Sequence, residues 1–123
     1  MKTMVLGASP KPSRYSHRVT LLLQAQGYQV IPVGVRPGII GHQQIVDLKS
    51  KPLFPELHTI TLYLSKNNQQ FWYQYILDLK PQRVIFNPGS ENPELSQLLY
   101  QARIEWEESC TLVMLSVGNY QLA

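Results

Sequence analysis

The sequence predicts an open α/β sheet of about five parallel strands, covered by helices on both faces. Three observations carry that prediction. Short, apolar, β-branched runs alternate with longer stretches of helical spacing. Each junction is a tight loop rich in glycine, proline, serine or asparagine. Of the 123 residues 44% are hydrophobic and 15% charged, which is enough to bury one core and too apolar for a disordered chain. Strand–helix alternation builds βαβ units, and such units require a parallel sheet. The expectation is one domain over residues 1–123, with no internal repeat and no linker.

The elements follow in order. Thr3–Gly7 reads as a short buried strand. Ser16 is placed to cap the first helix, Val19, Leu22, Leu23 and Gln26 continue at helical spacing, and Gly27 stops it. Residues 28–33 form a second strand, with Pro32 near its end. Residues 36–41 are turn-rich, 43–46 a short extended piece, and 51–57 a proline-rich irregular stretch. Residues 58–64 are dense in β-branched side chains and predict the third strand. Ser65 or Asn67 caps the next helix, whose Trp72, Tyr75, Ile76 and Leu79 share a face and which Pro81 ends. Residues 83–86 are a fourth strand. Asn92 caps a helix with Pro93 at its first position and Leu95, Leu98, Leu99 and Ala102 as its stripe. Residues 111–115 read as the fifth strand, and 118–123 as a short polar tail.

Composition excludes several classes. A single cysteine, Cys110, allows no internal disulfide and no cysteine-based metal cluster. His17, His42 and His58 lie far apart without ligand spacing, so no metal is expected. No apolar run approaches the ~18 residues of a bilayer span. The apolar part of the N-terminus is too short for a signal peptide, and a cytoplasmic location is the expectation. The net charge of +3 is unevenly distributed: residues 1–51 hold Lys2, Lys11, Arg14, Arg18, Arg36, Lys49 and Lys51 against one acid, Asp47. That asymmetry points to an anionic partner, with a solvated basic face as the alternative. The basic residues fall in loops rather than on one helix face, and no nucleic-acid motif is present, so nucleic acid is not the expected partner.

Ligands of open α/β sheets bind beyond the carboxyl ends of the strands. There the loops from Gly7 to Ser16, from Gly34 to Gly38, at Ser65 and from Asn87 to Asn92 should meet. A dinucleotide fold would place Gly-x-Gly-x-x-Gly after the first strand. Only Gly7 appears, followed by Ser9, Pro10, Lys11, Pro12, Ser13, Arg14 and Ser16. Hydroxyls, two cations and a helix start suit a pyrophosphate, with an unliganded polar loop as the alternative, since a lone glycine is a weak signal. The second strand ends without the acid that would bind a ribose 2′-hydroxyl. Arg36 stands there instead, and a guanidinium favours a ribose phosphate, which both NADP and coenzyme A (CoA) carry.

The stretch "GASPKPSRYS" resembles the Gly-Ala-Ser-x-x-Pro-x-Arg-x-Ser signature of the small CoA-binding domain family. The resemblance continues through "GYQVIPVG" and "FNPGSENPEL" and spans about residues 2–115. It implies a single Rossmann-like domain similar to the CoA-binding domain of the succinyl-CoA synthetase alpha subunit. It implies that Gly7, Ala8, Ser9, Pro12, Arg14 and Ser16 form a diphosphate loop, in which Lys11 and Tyr15 also lie. It further implies that the strand-two end, with Gly34 and Arg36, faces the adenosine part. Many members read Pro-Val-Asn-Pro-Lys there, whereas this chain keeps a basic residue and lacks the Asn-Pro pair. Ser65, Asn87, Pro88 and Gly89 complete the expected site.

Candidates for chemistry are few. His17 is expected to be solvated at the helix start, and His58 structural. Cys110 is expected to be a buried, inert thiol ahead of the last strand. Glu91 has no visible partner in the sequence. Phe71, left outside the core face of its helix, points to a homodimer contact. The leading expectation is therefore a non-catalytic binder of CoA or an acyl-CoA. The alternatives are an NADP-type dinucleotide protein or oxidoreductase, and a ligand-free interaction domain.

Overall fold

The computed structural model describes residues 1–120. In chain order the elements are β1 (Lys2–Leu6), α1 (Tyr15–Ala25), β2 (Gln29–Gly34), β3 (Ile39–Ile40), β4 (Gln43–Gln44) and β5 (Val46–Asp47). There follow β6 (Leu57–Leu62), α2 (Lys66–Gln69), α3 (Tyr73–Leu79), β7 (Arg83–Phe86), α4 (Pro93–Gln101), β8 (Glu105–Glu108) and α5 (Thr111–Val117). Six strands form one sheet in the order β5-β2-β1-β6-β7-β8, and every neighbouring pair is parallel. Counted within this sheet, the order is 3-2-1-4-5-6, the doubly wound arrangement of dinucleotide folds. The third strand, β5, is only two residues long, and an antiparallel ribbon of β3 and β4 replaces a crossover helix before it. The chain reverses direction across the sheet between β1 and β6, which makes their carboxyl ends the switch point.

Strand alternation divides the core into two layers. Met4, Leu6, Ile60, Leu62, Val84 and Phe86 face α3 and α4, where they meet Tyr75, Ile76, Leu79, Leu95 and Leu99. Val5, Val30 and Ile85 face α1 and α5, where they meet Val19, Leu23, Met114 and Leu115. The second layer also carries a buried polar seam. The Thr61 and Thr111 hydroxyls are 2.8 Å apart, the Thr3 hydroxyl lies 2.7 Å from Tyr120 Oη, and Arg83 Nε donates to Thr59 Oγ1 at 3.1 Å.

Residues 111–115 are helical, contrary to the fifth strand expected there. Their β-branched composition favours a strand locally, but Thr111, Met114 and Leu115 are the buried positions, at spacings of three and four that only a helix presents to one surface. The strand is instead β8, at Glu105–Glu108, whose acids and exposed position on the sheet edge hide it from hydrophobic patterning. Trp106 holds it to β7 through an edge-to-face contact with Phe86 at 5.9 Å. Three further expectations change. The third strand stops at Leu62 rather than Leu64. The extended piece at 43–46 divides between β4 and β5. The helix expected after the third strand is broken by a 3₁₀ turn at Gln70–Trp72, in a run of amides and aromatics of modest helix propensity. Phe71 stands exposed there, and Asn92 with Pro93 starts α4 as expected, its Oδ1 accepting from the Glu94 and Leu95 N–H groups. Of the expected polar tail, Tyr120 is buried against Tyr28 and Arg83, and residues 121–123 lie outside the described residues.

Asn87 ties α5 to the sheet. Its Nδ2 donates to Thr61 Oγ1 at 2.8 Å and to the Leu62 carbonyl at 3.0 Å, and its Oδ1 accepts from the Thr111 N–H at 2.9 Å. Asn87→Ala removes the partner of buried groups on one strand, β6, and at the start of one helix, α5. Chemical denaturation should show a loss of about 2–4 kcal/mol.

Burial pushes the Tyr75 phenol up to about 12 and raises Tyr63 and Tyr120 from the ordinary value near 10 in the same direction. Below about pH 10 these phenols keep their protons in folded and unfolded chains alike, and their contribution is fully present. Above it the unfolded chain ionises first, so stability falls as pH rises towards 12. Urea midpoints measured across that window should decline, and Tyr75→Phe should flatten the decline.

Candidate functional site

Four loops converge beyond the carboxyl ends of β2, β1, β6 and β7. The first is clamped to the sheet, because the Gly7 and Ala8 N–H groups both donate to the Val33 carbonyl at 2.9 Å. Gly7 adopts φ +98, and a Cβ there would lie 3.0 Å from the Leu64 N atom. Gly34 answers it from β2, where a Cβ would clash with the Ala8 carbonyl oxygen. A Cβ on Gly38 would collide with the Pro10 ring, so the loops after β1 and β2 pack directly on one another.

The loop after β1 organises itself before any ligand arrives. The Ser9 N–H donates to Ser16 Oγ at 3.1 Å, the Lys11 N–H to Ser9 Oγ at 3.2 Å, and the Arg14 N–H to the Lys11 carbonyl at 3.1 Å. Ser16 is therefore not the helix cap expected of it. Arg14 occupies the capping position and makes no side-chain bond there, and the first turn of α1 holds no acid. The leading N–H groups of α1, on Tyr15, Ser16 and His17, are those that a helix leaves without an internal partner, and they carry its partial positive charge. His17 is buried rather than solvated, with Nδ1 3.0 Å from the Ser9 carbonyl oxygen.

Between the loops lies a cleft of about 500 Å³. The loop after β1 lines it with Gly7, Ala8, Ser9, Lys11, Arg14, Tyr15 and Ser16. Arg36 enters from the end of β2, Tyr63, Ser65 and Asn68 from the end of β6, and Pro88 and Gly89 from the end of β7. The structure thus gathers most of the residues singled out in the sequence. Three do not line this cleft. Pro12 lies outside it, Gly34 acts by allowing close packing, and Asn87 is buried with its amide used in the three bonds described above. Two lining residues escaped sequence reading, Tyr63 and Asn68. The sequence places Tyr63 in the interior of a strand, and only the strand's early end, with the Tyr63 N–H donating to the Leu6 carbonyl at 2.8 Å, brings it to the cleft.

Lys11, Arg14 and Arg36 supply the charge of the cleft, and its lining contains no carboxylate. Glu91 stands near the rim, where Oε1 accepts from the Gly89 N–H at 2.8 Å. A second amide network steadies the far wall: buried Gln69 donates to the Leu64 and Ser90 carbonyls at 2.8 and 2.7 Å and accepts from Asn92 Nδ2 at 2.9 Å. A neighbouring cavity of about 380 Å³ shares Tyr15, Tyr63 and Pro88 with the cleft and extends to Cys110, Leu112 and Val113 at the start of α5. Cys110 is thus partly exposed beside a helix, rather than buried ahead of a strand.

A larger hollow of about 680 Å³ lies beside β8, lined by Arg83, Tyr100, Arg103, Ile104, Trp106 and acids of that strand. It faces the amino ends of the strands and mixes both charge signs, so it lacks the convergent loops and single-sign field of the carboxyl edge. Among the described residues no group of three or more potential metal ligands occurs, and no helix is long and apolar enough to cross a membrane.

No curated protein sequence matches the chain. Among solved structures it is similar to a crystal structure of an uncharacterized protein, 44% identical over 97% of each chain with a TM-score of 0.92. It is also similar to cell-free ID.343 from Thermus thermophilus, at 24% identity over 97% of this chain and 90% of that one, TM-score 0.81. A hypothetical protein from Pyrococcus horikoshii OT3 is 21% identical over 94% of this chain and 81% of its own, TM-score 0.77. The last two likenesses bear on the fold alone. The family model of the CoA binding domain matches residues 1–116, in keeping with the doubly wound sheet and its basic carboxyl edge, and the chain belongs to that family.

Proposed function

We propose that this protein binds CoA or an acyl-CoA at the carboxyl edge of its sheet and does not turn it over. The observation that carries the reading is the convergence of Lys11, Arg14 and Arg36, from two loops, on one cleft with no acid in its lining. The uncapped start of α1 adds unpaired N–H groups to the same wall. In this reading the diphosphate rests on the first turn of α1, with Lys11 and Arg14 balancing its charge. Arg36, displaced along the cleft by the width of one strand, takes the ribose 3′-phosphate.

The chemistry of the lining supports binding over turnover. The cleft presents cations, hydroxyls and the phenols of Tyr15 and Tyr63, and burial holds the Tyr63 phenol well above the usual range, so that one stays protonated. His17, the nearest imidazole by sequence, has Nδ1 engaged with the Ser9 carbonyl behind the loop. A general base needs a titrating group within reach of a substrate proton.

Isothermal titration with CoA and with its 3′-dephospho form tests the reading. CoA should bind more tightly by about 1–3 kcal/mol, the worth of one charge-assisted contact, or roughly 5- to 150-fold. Arg36→Ala should remove most of that difference. Equal affinity for the two ligands would exclude the role given to Arg36. Tighter binding of NADP than of CoA, or no binding of either, would overturn the assignment itself.

Gly34→Ala tests the packing beneath the site. The added methyl meets the Ala8 carbonyl, so the loop after β1 must shift. Overpacking of this kind costs about 1–3 kcal/mol of stability, read by thermal unfolding, and CoA affinity should fall with it.

A further inference from the structure

The second cavity has a composition that the diphosphate cleft does not share. Its lining is Tyr63, Pro88, Cys110, and Leu112 and Val113 of α5, together with Tyr15, Arg18 and Asn87. Val113 is 55% exposed, and its side chain belongs to an apolar wall that stands open in this state. The strong polar groups at the cavity are already engaged. Both ends of the Asn87 amide are hydrogen-bonded, and the Thr111 N–H is taken by Asn87 Oδ1. The Arg18 guanidinium lies 5.3 Å from the centre of the Tyr15 ring. Arg18 is the one charged residue of the lining and is itself exposed, so a carboxylate set among Pro88, Leu112 and Val113 would lose its hydration without a partner beside it.

Position gives the occupant its connection. The ends of β2, β1, β6 and β7 lie in a row. Along that row come Arg36, then the loop with Lys11 and Arg14, then Tyr63, then Cys110 with the first turn of α5. Tyr15, Tyr63 and Pro88 line both spaces, so the apolar cavity adjoins the basic cleft along the same edge of the sheet.

We propose that the cavity bounded by Tyr63, Pro88, Cys110, Leu112 and Val113 is an acyl subsite, which receives a short, uncharged, saturated acyl group carried as a thioester on a ligand anchored in the basic cleft. This inference rests on the CoA reading above and specifies its substrate class: neutral short-chain acyl-CoA is preferred over free CoA and over carboxylated acyl-CoA.

The test uses the whole protein and five ligands in calorimetric titration: adenosine 3′,5′-bisphosphate, which lacks the arm and the acyl group, CoA, acetyl-CoA, butyryl-CoA and succinyl-CoA. Each methylene fully withdrawn from water strengthens binding about fourfold, so butyryl-CoA should bind at least about fourfold more tightly than acetyl-CoA. Succinyl-CoA should bind more weakly than butyryl-CoA. Val113→Trp, an exposed helix position whose fold is checked by circular dichroism, should erase the acyl-chain gain. A second readout is independent of affinity. Cys110 is the chain's single cysteine, so its alkylation by iodoacetamide is unambiguous. Butyryl-CoA should slow alkylation at least fivefold, and adenosine 3′,5′-bisphosphate should leave it unchanged. If CoA binds but the acyl series is flat and Cys110 is unprotected, the acyl subsite is wrong and the CoA reading stands. If neither the bisphosphate nor CoA binds, both fall together. Succinyl-CoA binding above butyryl-CoA would also overturn the inference, because it would make Arg18 the determinant in place of the apolar wall.

Discussion

One buried amide sets the geometry of the ligand edge. Asn87 sits where β7 ends, and its side chain bonds to a hydroxyl and a carbonyl of β6 on one side and to the first N–H of α5 on the other. A buried amide with every group satisfied is stabilising, and a buried amide with any group unpaired is costly, so the three partners are held to one arrangement. That arrangement fixes where α5 begins. The start of α5 in turn fixes the wall formed by Cys110, Leu112 and Val113. Gln69 repeats the device between the loops after β6 and β7, and Asn92 links it to the start of α4. The carboxyl edge is thus framed by amides whose hydrogen-bonding capacity is turned inward. The cations and the uncapped helix start are left to face a ligand.

The loop after β1 shows the same economy. A glycine-rich loop would bring bare backbone to a phosphate. Here serine hydroxyls take the amides of Ser9 and Lys11, and two prolines restrict what remains. The loop is consequently ordered before binding, which lowers the entropy lost on association. The positive charge at this edge then comes from the Lys11 and Arg14 side chains and from the first turn of α1.

Much of this was legible in the sequence, and the failures have physical causes. The four inner strands of the sheet are buried on both faces, so their β-branched runs stand out against the loops around them. The basic carboxyl edge was legible because parallel topology dictates where loops gather, and the loops after β1, β2 and β7 carry recognisable residues. The far end of the chain misled. Residues 111–115 have strand-like composition, and only tertiary packing of Thr111, Met114 and Leu115 reveals a helix. Glu105–Glu108 form a strand because β7 offers an open edge to pair with, and nothing in four largely acidic residues advertises it. Tyr63 reached the cleft for a related reason. A strand's end is set by where its neighbours stop pairing, and local propensity does not report that. Ser16 lies at the helix start where its sequence puts it, but its hydroxyl turns back to the Ser9 N–H of the loop rather than into the helix.

The acidity of β8 has a consequence for the molecule in a crowded solution. A parallel sheet that ends on an uncovered strand offers a row of unpaired backbone groups to any other chain. Glu105, Glu107 and Glu108 lie along that margin, with Trp106 turned towards Phe86. Two copies meeting there would bring like charges face to face. The carboxylates that concealed this strand in the sequence therefore act as a barrier to fibre-like stacking of one molecule on the next.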